Sequence, residues 1–396
     1  MNFPFTSRSA CTLCERRDLR PILQLPGFPL TEIYTNQSPT MHEEAGRIDQ
    51  TLLFCESCSH GQLLNVVDQA LLYCRADNNV YQTSQSLTGR ASCDFFYDFI
   101  EHCLPVQQYR LAVEIGSNDL YLAKKLLARA QEVVAIDPNP ILDDVTPGIT
   151  VVTDYIEQAV LTGVGGEAEL VILKDVFEHL PDPMVVLRKL LENAAPGANF
   201  FIQVPVLDVL LAESRFDQVF HQHLNYFSLH SFQWMLTKLG CSLINYTVNL
   251  DHWGSGIFHF QTCEKYRRVS FPMISPERFA ESERVFRMVL DAARCRLEFM
   301  TETVYGYGAS LMLPVLFYHI HFQPSRIKAI LDDDRRKSGL YYINLPYRIF
   351  HPDEVRDIES SVLFLTAIQS RLNVRRMTAS ETARRAKYLV LPINNL

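Results

Sequence analysis

Between Leu111 and Leu250, short apolar runs recur between segments of helical period: LAVEI, VVAID, ITVVT, ELVILKD and NFFIQV, then a helix at Ser231–Leu239 and a last strand, SLINYTV. Continuous apolar runs of strand length, spaced by helical segments, predict strands buried on both faces of a doubly wound, mostly parallel α/β sheet. Upstream, Ser92–Cys103 sets Phe95, Phe96, Phe99 and Ile100 on one helical stripe. Downstream, residues 277–300 read as an amphipathic helix with Phe279, Phe286, Val289, Leu290, Ala293 and Leu297 facing inward. After it a second α/β pattern begins, with VYGYGAS, IKAILDD, SVLFLTA and KYLVLPI as strands.

A chain of 396 residues accommodates two or three domains with sizeable cores. A net charge of −8 without a basic block argues against nucleic acid or an anionic membrane as main partner. No apolar run approaches the ~18 residues of a membrane span, and the start, MNFPFTSRSACTLC, lacks a signal-peptide core. Both features lead to the expectation of a cytoplasmic protein, in which ten cysteines signify thiols or a metal site and not disulfides.

The cysteines are not evenly spread. Cys11-x2-Cys14 and Cys55-x2-Cys58 form two knuckles able to complete a tetrahedral Zn²⁺ shell. Four thiolates leave no vacant ligand position, so the metal is expected to be structural, with His60 dispensable. Cys74, Cys93, Cys103, Cys241, Cys263 and Cys295 are scattered and read as packing residues.

Chemistry gathers where the strands end. In Leu111–Leu122 (LAVEIGSNDLYL) a strand carrying Glu114 runs into a turn at Gly116, and a helix starts near Tyr121. Val133–Asp137 then ends a second strand on a carboxylate placed to accept ribose hydroxyls. The turn has a single glycine and holds Asp119, which suits a cationic, phosphate-free ligand such as S-adenosylmethionine (SAM) better than a pyrophosphate. Lys174–His179 (KDVFEH) brings Lys174, Asp175 and an imidazole to the same rim. Gln218–Phe227 (QVFHQHLNYF) concentrates His221, His223 and Tyr226. A metal there needs a third ligand that the sequence does not supply, so proton transfer by one imidazole is the favoured reading. Asn78–Ser86 offers hydroxyls and amides to phosphate or sugar, although a solvated capping loop fits its composition equally. Gly306-x-Gly308 with Asp332 resembles half a dinucleotide fingerprint, but Leu311 stands at its third glycine position, which disfavours NAD.

Taken in order, the whole chain resembles the sugar C-methyltransferases that act on nucleotide-linked keto-deoxysugars. The matching segments are the paired CxxC motifs, EIGSND at Glu114–Asp119, IDP at Ile136–Pro138, DVFEHLPDP at Asp175–Pro183, HxHLxYFS at His221–Ser228 and YGYGAS at Tyr305–Ser310. The resemblance implies a zinc-binding lobe (1–72), a substrate-binding linker (73–105), a central Rossmann-like SAM domain (106–250), a helical connector (251–300) and a second Rossmann-like domain (301–396). It further implies SAM contacts by Glu114, Gly116, Asn118, Asp119, Asp137, Lys174 and Asp175, and catalysis by His223 as base with His179 and Tyr81. Tyr81, Ser84, His221, Gln222 and Tyr226 are implied at the substrate, and a monomer or weak homo-oligomer is expected.

Four positions depart from the family pattern. Leu120 stands where EIGSNDG has its last glycine, and Phe220 and Gln222 replace the tyrosine and glutamate of Tyr-His-Glu-His; Asn79 also replaces a common linker tyrosine. Leu120 is expected to crowd the methionine end of SAM, and Gln222 to deprive the neighbouring imidazole of a carboxylate. These changes keep open an epimerase or isomerase of nucleotide sugars, or a non-catalytic sugar-nucleotide-binding relative.

Overall fold

The central sheet has seven strands, ordered Cys241–Asn249, Ser255–Thr262, Ala194–Pro205, Ala168–Lys174, Tyr109–Ile115, Ala130–Asp137 and Ile149–Thr153. The computed structural model describes residues 3–39, 46–73, 82–105, 108–142, 146–161, 166–262, 270–321, 326–368 and 371–391. Cys74, Asn79, Tyr81 and Cys263 therefore lie outside the described residues. The last five strands in this order pair in parallel, whereas Ser255–Thr262 runs antiparallel to both neighbours. That strand follows residue 250, so the sheet extends into the stretch read as connector. It enters as the second arm of a hairpin, with Ile257, Phe258 and Phe260 all buried.

Burial on both faces explains why the inner strands read as unbroken apolar runs, whereas the edge strands Ile149–Thr153 and Cys241–Asn249 are partly exposed. Leu111, Val113 and Ile115 join one hydrophobic cluster, while Tyr109 and Ala112 join another on the opposite face. Each such aliphatic side chain contributes ~1.5–3 kcal/mol when fully buried. The second cluster is closed by the helix Leu87–Cys103, whose N-terminus is capped by Ser86 Oγ accepting from the Gly89 amide at 3.1 Å. On this helix Phe96 and Ile100 are buried, but Phe95 is exposed, because the packed face rotates towards Tyr97 and Cys93.

The N-terminal lobe carries a four-stranded antiparallel sheet, and its edge strand, Asn225–Tyr226, comes from the central segment. The lobe has a small cluster of its own, Phe3, Leu30, Ile33, Ile48, Val67 and Leu72 with Ile343, and otherwise packs on the rest of the chain. Cys11, Cys55 and Cys58 pack with Phe227 and Phe232 of the central domain. Leu25, Phe28 and Leu52 share a cluster with Phe279, Phe286 and Leu290 of the helix Pro276–Glu298 and with Leu313 and Leu316 beyond it.

The C-terminal part holds an all-parallel five-stranded sheet, ordered Ile349–Phe350, Ile327–Leu331, Thr303–Tyr307, Ser361–Leu365 and Lys387–Leu389. Its first turn repeats the geometry of the central one. Gly116 N–H donates to the Ile136 carbonyl at 2.7 Å, and Gly308 N–H donates to the Leu331 carbonyl at 2.7 Å, each carbonyl belonging to the residue before an aspartate, Asp137 or Asp332. Among the described residues no helix is long and apolar enough to cross a membrane.

Candidate cofactor and substrate site

The order in which strands are added reverses between the parallel neighbours Tyr109–Ile115 and Ala168–Lys174, and a crevice opens beyond the carboxyl ends of strands at such a point. A cavity of about 340 Å³ lies there, within the ~300–1,000 Å³ range of small-molecule sites. Gly116 forms its floor at φ +76°, and a Cβ at this position would meet Val176 Cγ2 at 2.2 Å. Only glycine satisfies both conditions.

Asp137 organises the turn. One carboxylate oxygen accepts from the Asn118 amide at 2.9 Å and the other from the Asn139 amide at 2.8 Å. Burial raises its pKa, and those two amides act against the rise. Each oxygen keeps a second lone pair for a ligand hydroxyl. Asn118 also holds the linker, its Oδ1 accepting from the Thr83 amide at 3.1 Å, while Asp119 Oδ2 accepts from the Ser84 amide at 2.7 Å. Thr83 and Asn118 line the cavity, whereas Asp119 and Ser84 act as the clasp behind it.

The walls are acidic. Glu32, Glu114, Asp137, Asp154, Glu157 and Asp175 contribute carboxyls, against Lys174 as the one lysine or arginine among the lining residues. Lys174 Nζ is bound by Asp175 at 2.5 Å, and Asp175 also meets His252 Nε2 at 3.2 Å and accepts from Gln203 at 2.8 Å. Burial pushes Asp175 up, but Lys174 and His252 outweigh it and hold the carboxyl below its usual range. Glu114 is different. It is 3% exposed, its Oε2 has no hydrogen-bond partner, and burial followed by the nearby Asp137 charge raises its pKa well above 4.5. Ser117 Oγ and both carboxylate oxygens of Glu157 are likewise buried without partners. Unpaired buried polar groups of this kind are costly unless a ligand satisfies them. The donor set thus fits a ligand that combines an ammonium, hydroxyls and a net positive charge.

At the cavity's other end stands His179. Its Nδ1 lies 2.7 Å from the Gln222 carbonyl and 3.1 Å from Tyr73 Oη, and Gln69 donates to its backbone carbonyl at 2.6 Å. The Gln222 carbonyl requires a proton on Nδ1, which leaves Nε2 as the acceptor nitrogen. Burial lowers the His179 pKa, and the Gln222 carbonyl counters it. His223 stands behind His179 with ring centroids 5.0 Å apart, and Phe220 covers its other side at 4.0 Å. Burial, then the neighbouring His179, lowers the His223 pKa well below 6.5.

The remaining candidates are placed elsewhere. His221 Nδ1 meets Gln50 at 3.2 Å and Nε2 meets the Phe28 carbonyl at 3.2 Å, so the His-x-His pair diverges. Tyr226 Oη accepts from the Phe220 amide at 3.2 Å. The Gln222 side chain is bound to Thr31. None of these three lines the cavity. Leu120 sits in the left-handed region at φ +61°, 3% exposed, packed into the cluster of Leu122 and Leu126; it does not line the cavity where crowding was expected. Sequence reasoning missed Glu32, Tyr73, Asp154 and Glu157. Asp154 alone had a signal, as the acid following the third strand of the sheet.

In the N-terminal lobe, the sulfurs of Cys11, Cys14, Cys55 and Cys58 all lie within 4.8 Å of one another, with Cys11–Cys58 at 3.6 Å and Cys14–Cys55 at 3.4 Å. Thiolates ~2.3 Å from a shared tetrahedral ion stand slightly farther apart than this, so the group is compatible with zinc. His60 is outside the group and is engaged with Thr12 and Asn225. In the C-terminal sheet, Lys337 Nζ fills the glycine turn, bound to the Ala309 carbonyl at 2.8 Å and Asp332 at 3.3 Å.

The central segment is similar to methyltransferase domains. Residues 99–246 match the family model described as a methyltransferase domain. Over 151 residues the chain is 32% identical to the C-methyltransferase NovU of Streptomyces niveus, a match covering 37% of this chain and 36% of that protein. The chain thus matches about a third of that relative's length. Among solved structures, the N-methyltransferase NodS of Bradyrhizobium japonicum WM9 with S-adenosyl-l-homocysteine is 12% identical, covering 50% of this chain and 98% of that one at a TM-score of 0.36. A putative methyltransferase in complex with the Haloferax volcanii Trm112 activator is 12% identical, covering 44% and 92% at a TM-score of 0.36.

Proposed function

We propose that the protein is a SAM-dependent C-methyltransferase acting beside the ketone of a nucleotide-linked keto-deoxysugar. The observation that carries this reading is the acidic cavity at the switch point of the sheet, where Glu114 and Glu157 have buried oxygens without partners and His179 faces the same space. SAM, when bound, supplies a methyl group on a positively charged sulfur. Asp137 would accept from its ribose hydroxyls and Glu114 from its ammonium, while the lining carboxyls favour its positive charge. The methyltransferase-domain match and the similarity to a protein named as a C-methyltransferase support the same reading.

A ketone acidifies the adjacent C–H, and the His179–His223 pair would take that proton, leaving an enolate carbon as nucleophile. His179 is the imidazole that reaches the cavity, oriented by the Gln222 carbonyl and Tyr73. Tyr73 Oη would give the substrate oxygen a hydrogen-bond donor. Cys11, Cys14, Cys55 and Cys58 would hold a structural zinc ion that fixes the lobe carrying Glu32 and leading into the helix Gln69–Tyr73.

The test has two arms. Incubation with SAM and a nucleotide-linked 4-keto-deoxysugar should give a carbon-methylated product. Without SAM, the same sugar should take up deuterium from solvent at the carbon beside the ketone. Exchange without methyl transfer would instead support an epimerase or isomerase, and the absence of both events would overturn the reading.

A further inference from the structure

Glu178 is a carboxyl that the proposed chemistry has not used. It is 1% exposed, and its Oε2 has no hydrogen-bond partner. Its Oε1 stands 3.9 Å from His223 Nε2, and one donor atom each of Glu178, His179 and His223 lies within 4.8 Å of the other two. The carboxylate absent at position 222 has therefore a spatial counterpart at 178. Gln222 itself is turned to Thr31.

Other charges around this group largely balance one another. Lys174 pairs with Asp175, and Asp175 also binds His252. Tyr73 and Tyr226 face Glu178 as phenols whose pKa values burial raises. Against the lowering by burial, Asp175 raises the pKa values of both imidazoles. Burial and then the Asp175 charge raise Glu178 itself well above 4.5, so its ionised form is favoured only when an imidazole beside it carries a proton. Opposite charges at ~4–6 Å displace a pKa by about 1–3 units.

We infer that Glu178 is the positioning carboxylate of the His179–His223 pair, balancing the imidazolium formed when the pair takes the substrate proton. In that step the C–H bond breaks, its electron pair remains on the substrate as the enolate, and the proton moves to an imidazole nitrogen. The imidazolium later returns the proton to solvent. The catalytic use rests on the function proposed above; the electrostatic pairing does not.

NMR titration of the histidine side chains, in the full-length protein without ligand, tests the pairing. His223→Asn assigns the His223 signal. In Glu178→Gln the His223 midpoint should fall by about one pH unit or more, with SAM affinity kept and Glu178→Asp falling in between. An unchanged midpoint in folded Glu178→Gln overturns the inference. Should that variant fail to fold, a carboxyl titration of wild-type Glu178 decides instead: an inflection shared with His223 supports the pairing, and independent inflections overturn it. Absence of SAM binding in the wild type would sink the methyltransferase reading and leave the titration result standing.

Discussion

The Gln222 side chain is locked to Thr31, with Oε1 accepting from Thr31 Oγ1 at 2.9 Å and Nε2 donating to the Thr31 carbonyl at 3.2 Å. This contact ties the histidine segment to the N-terminal lobe, 191 residues away. Gln222→Glu therefore sets a carboxylate against a carbonyl acceptor and loses a buried donor. The variant should lose ~1–3 kcal/mol of stability, read by denaturant titration. It should not raise the basicity of His223, because the side chain points elsewhere.

Leu120 presents two opposing terms. Its left-handed backbone costs ~1–2 kcal/mol, which glycine would relieve, whereas removing a buried leucine side chain costs ~2–5 kcal/mol. Leu120→Gly should thus be net destabilising by ~1–3 kcal/mol. Its SAM affinity, measured by calorimetry on folded protein, should equal the wild type's because Leu120 does not line the cavity.

Glu114 gives a pH dependence with a defined sign. Its folded pKa lies well above 4.5 in the free protein, so stability from the buried neutral carboxyl is full below the unfolded pKa and is lost as pH rises through the folded value. A cationic ligand favours the ionised form, so SAM binding should release a proton and tighten as pH rises through that same window. Calorimetry in buffers of different ionisation enthalpy reads the released proton. Glu114→Gln should abolish the release and flatten the stability profile, and a wild type that releases none would contradict the assignment.

The four clustered thiols predict one zinc ion per chain by elemental analysis of metal-replete protein. Cys11→Ser should reduce folded yield before it alters chemistry, since Cys11, Cys55 and Cys58 belong to the hydrophobic cluster of the central domain.

The sequence showed the central strands clearly, because sheet residues buried on both faces are apolar at successive positions. Gly116, Asp137 and His179 were legible for a related reason: Gly116 follows a strand, Asp137 ends one, and His179 closes the short turn after a third. The partition of the QVFHQHLNYF segment was not. Asn225–Tyr226 pairs with the lobe strand His60–Leu63, and that distant pairing turns His221 towards Phe28 and leaves His223 beside His179. Nor could spacing show that Glu32 of the lobe and Tyr73 at its junction with the linker reach the cavity, since nothing local marks either residue. Burial raises Glu32 to about 7, against the nearby Lys337, so this carboxyl too is tuned by a residue more than three hundred positions away. Leu120 misled for the opposite reason. The departure from glycine was visible, but a leucine can occupy the left-handed position when a core receives its side chain.

In the proposed function SAM occupies the acidic cavity at the switch point of the sheet. Calorimetric titration of SAM into the wild-type protein and into Asp137→Ala tests it most directly. The wild type should bind one SAM per chain, and Asp137→Ala should weaken binding by ~1.5–3 kcal/mol through loss of the ribose acceptor and of the amide contacts that shape the turn. No heat of binding at millimolar SAM, or an affinity unchanged by Asp137→Ala, would contradict the account.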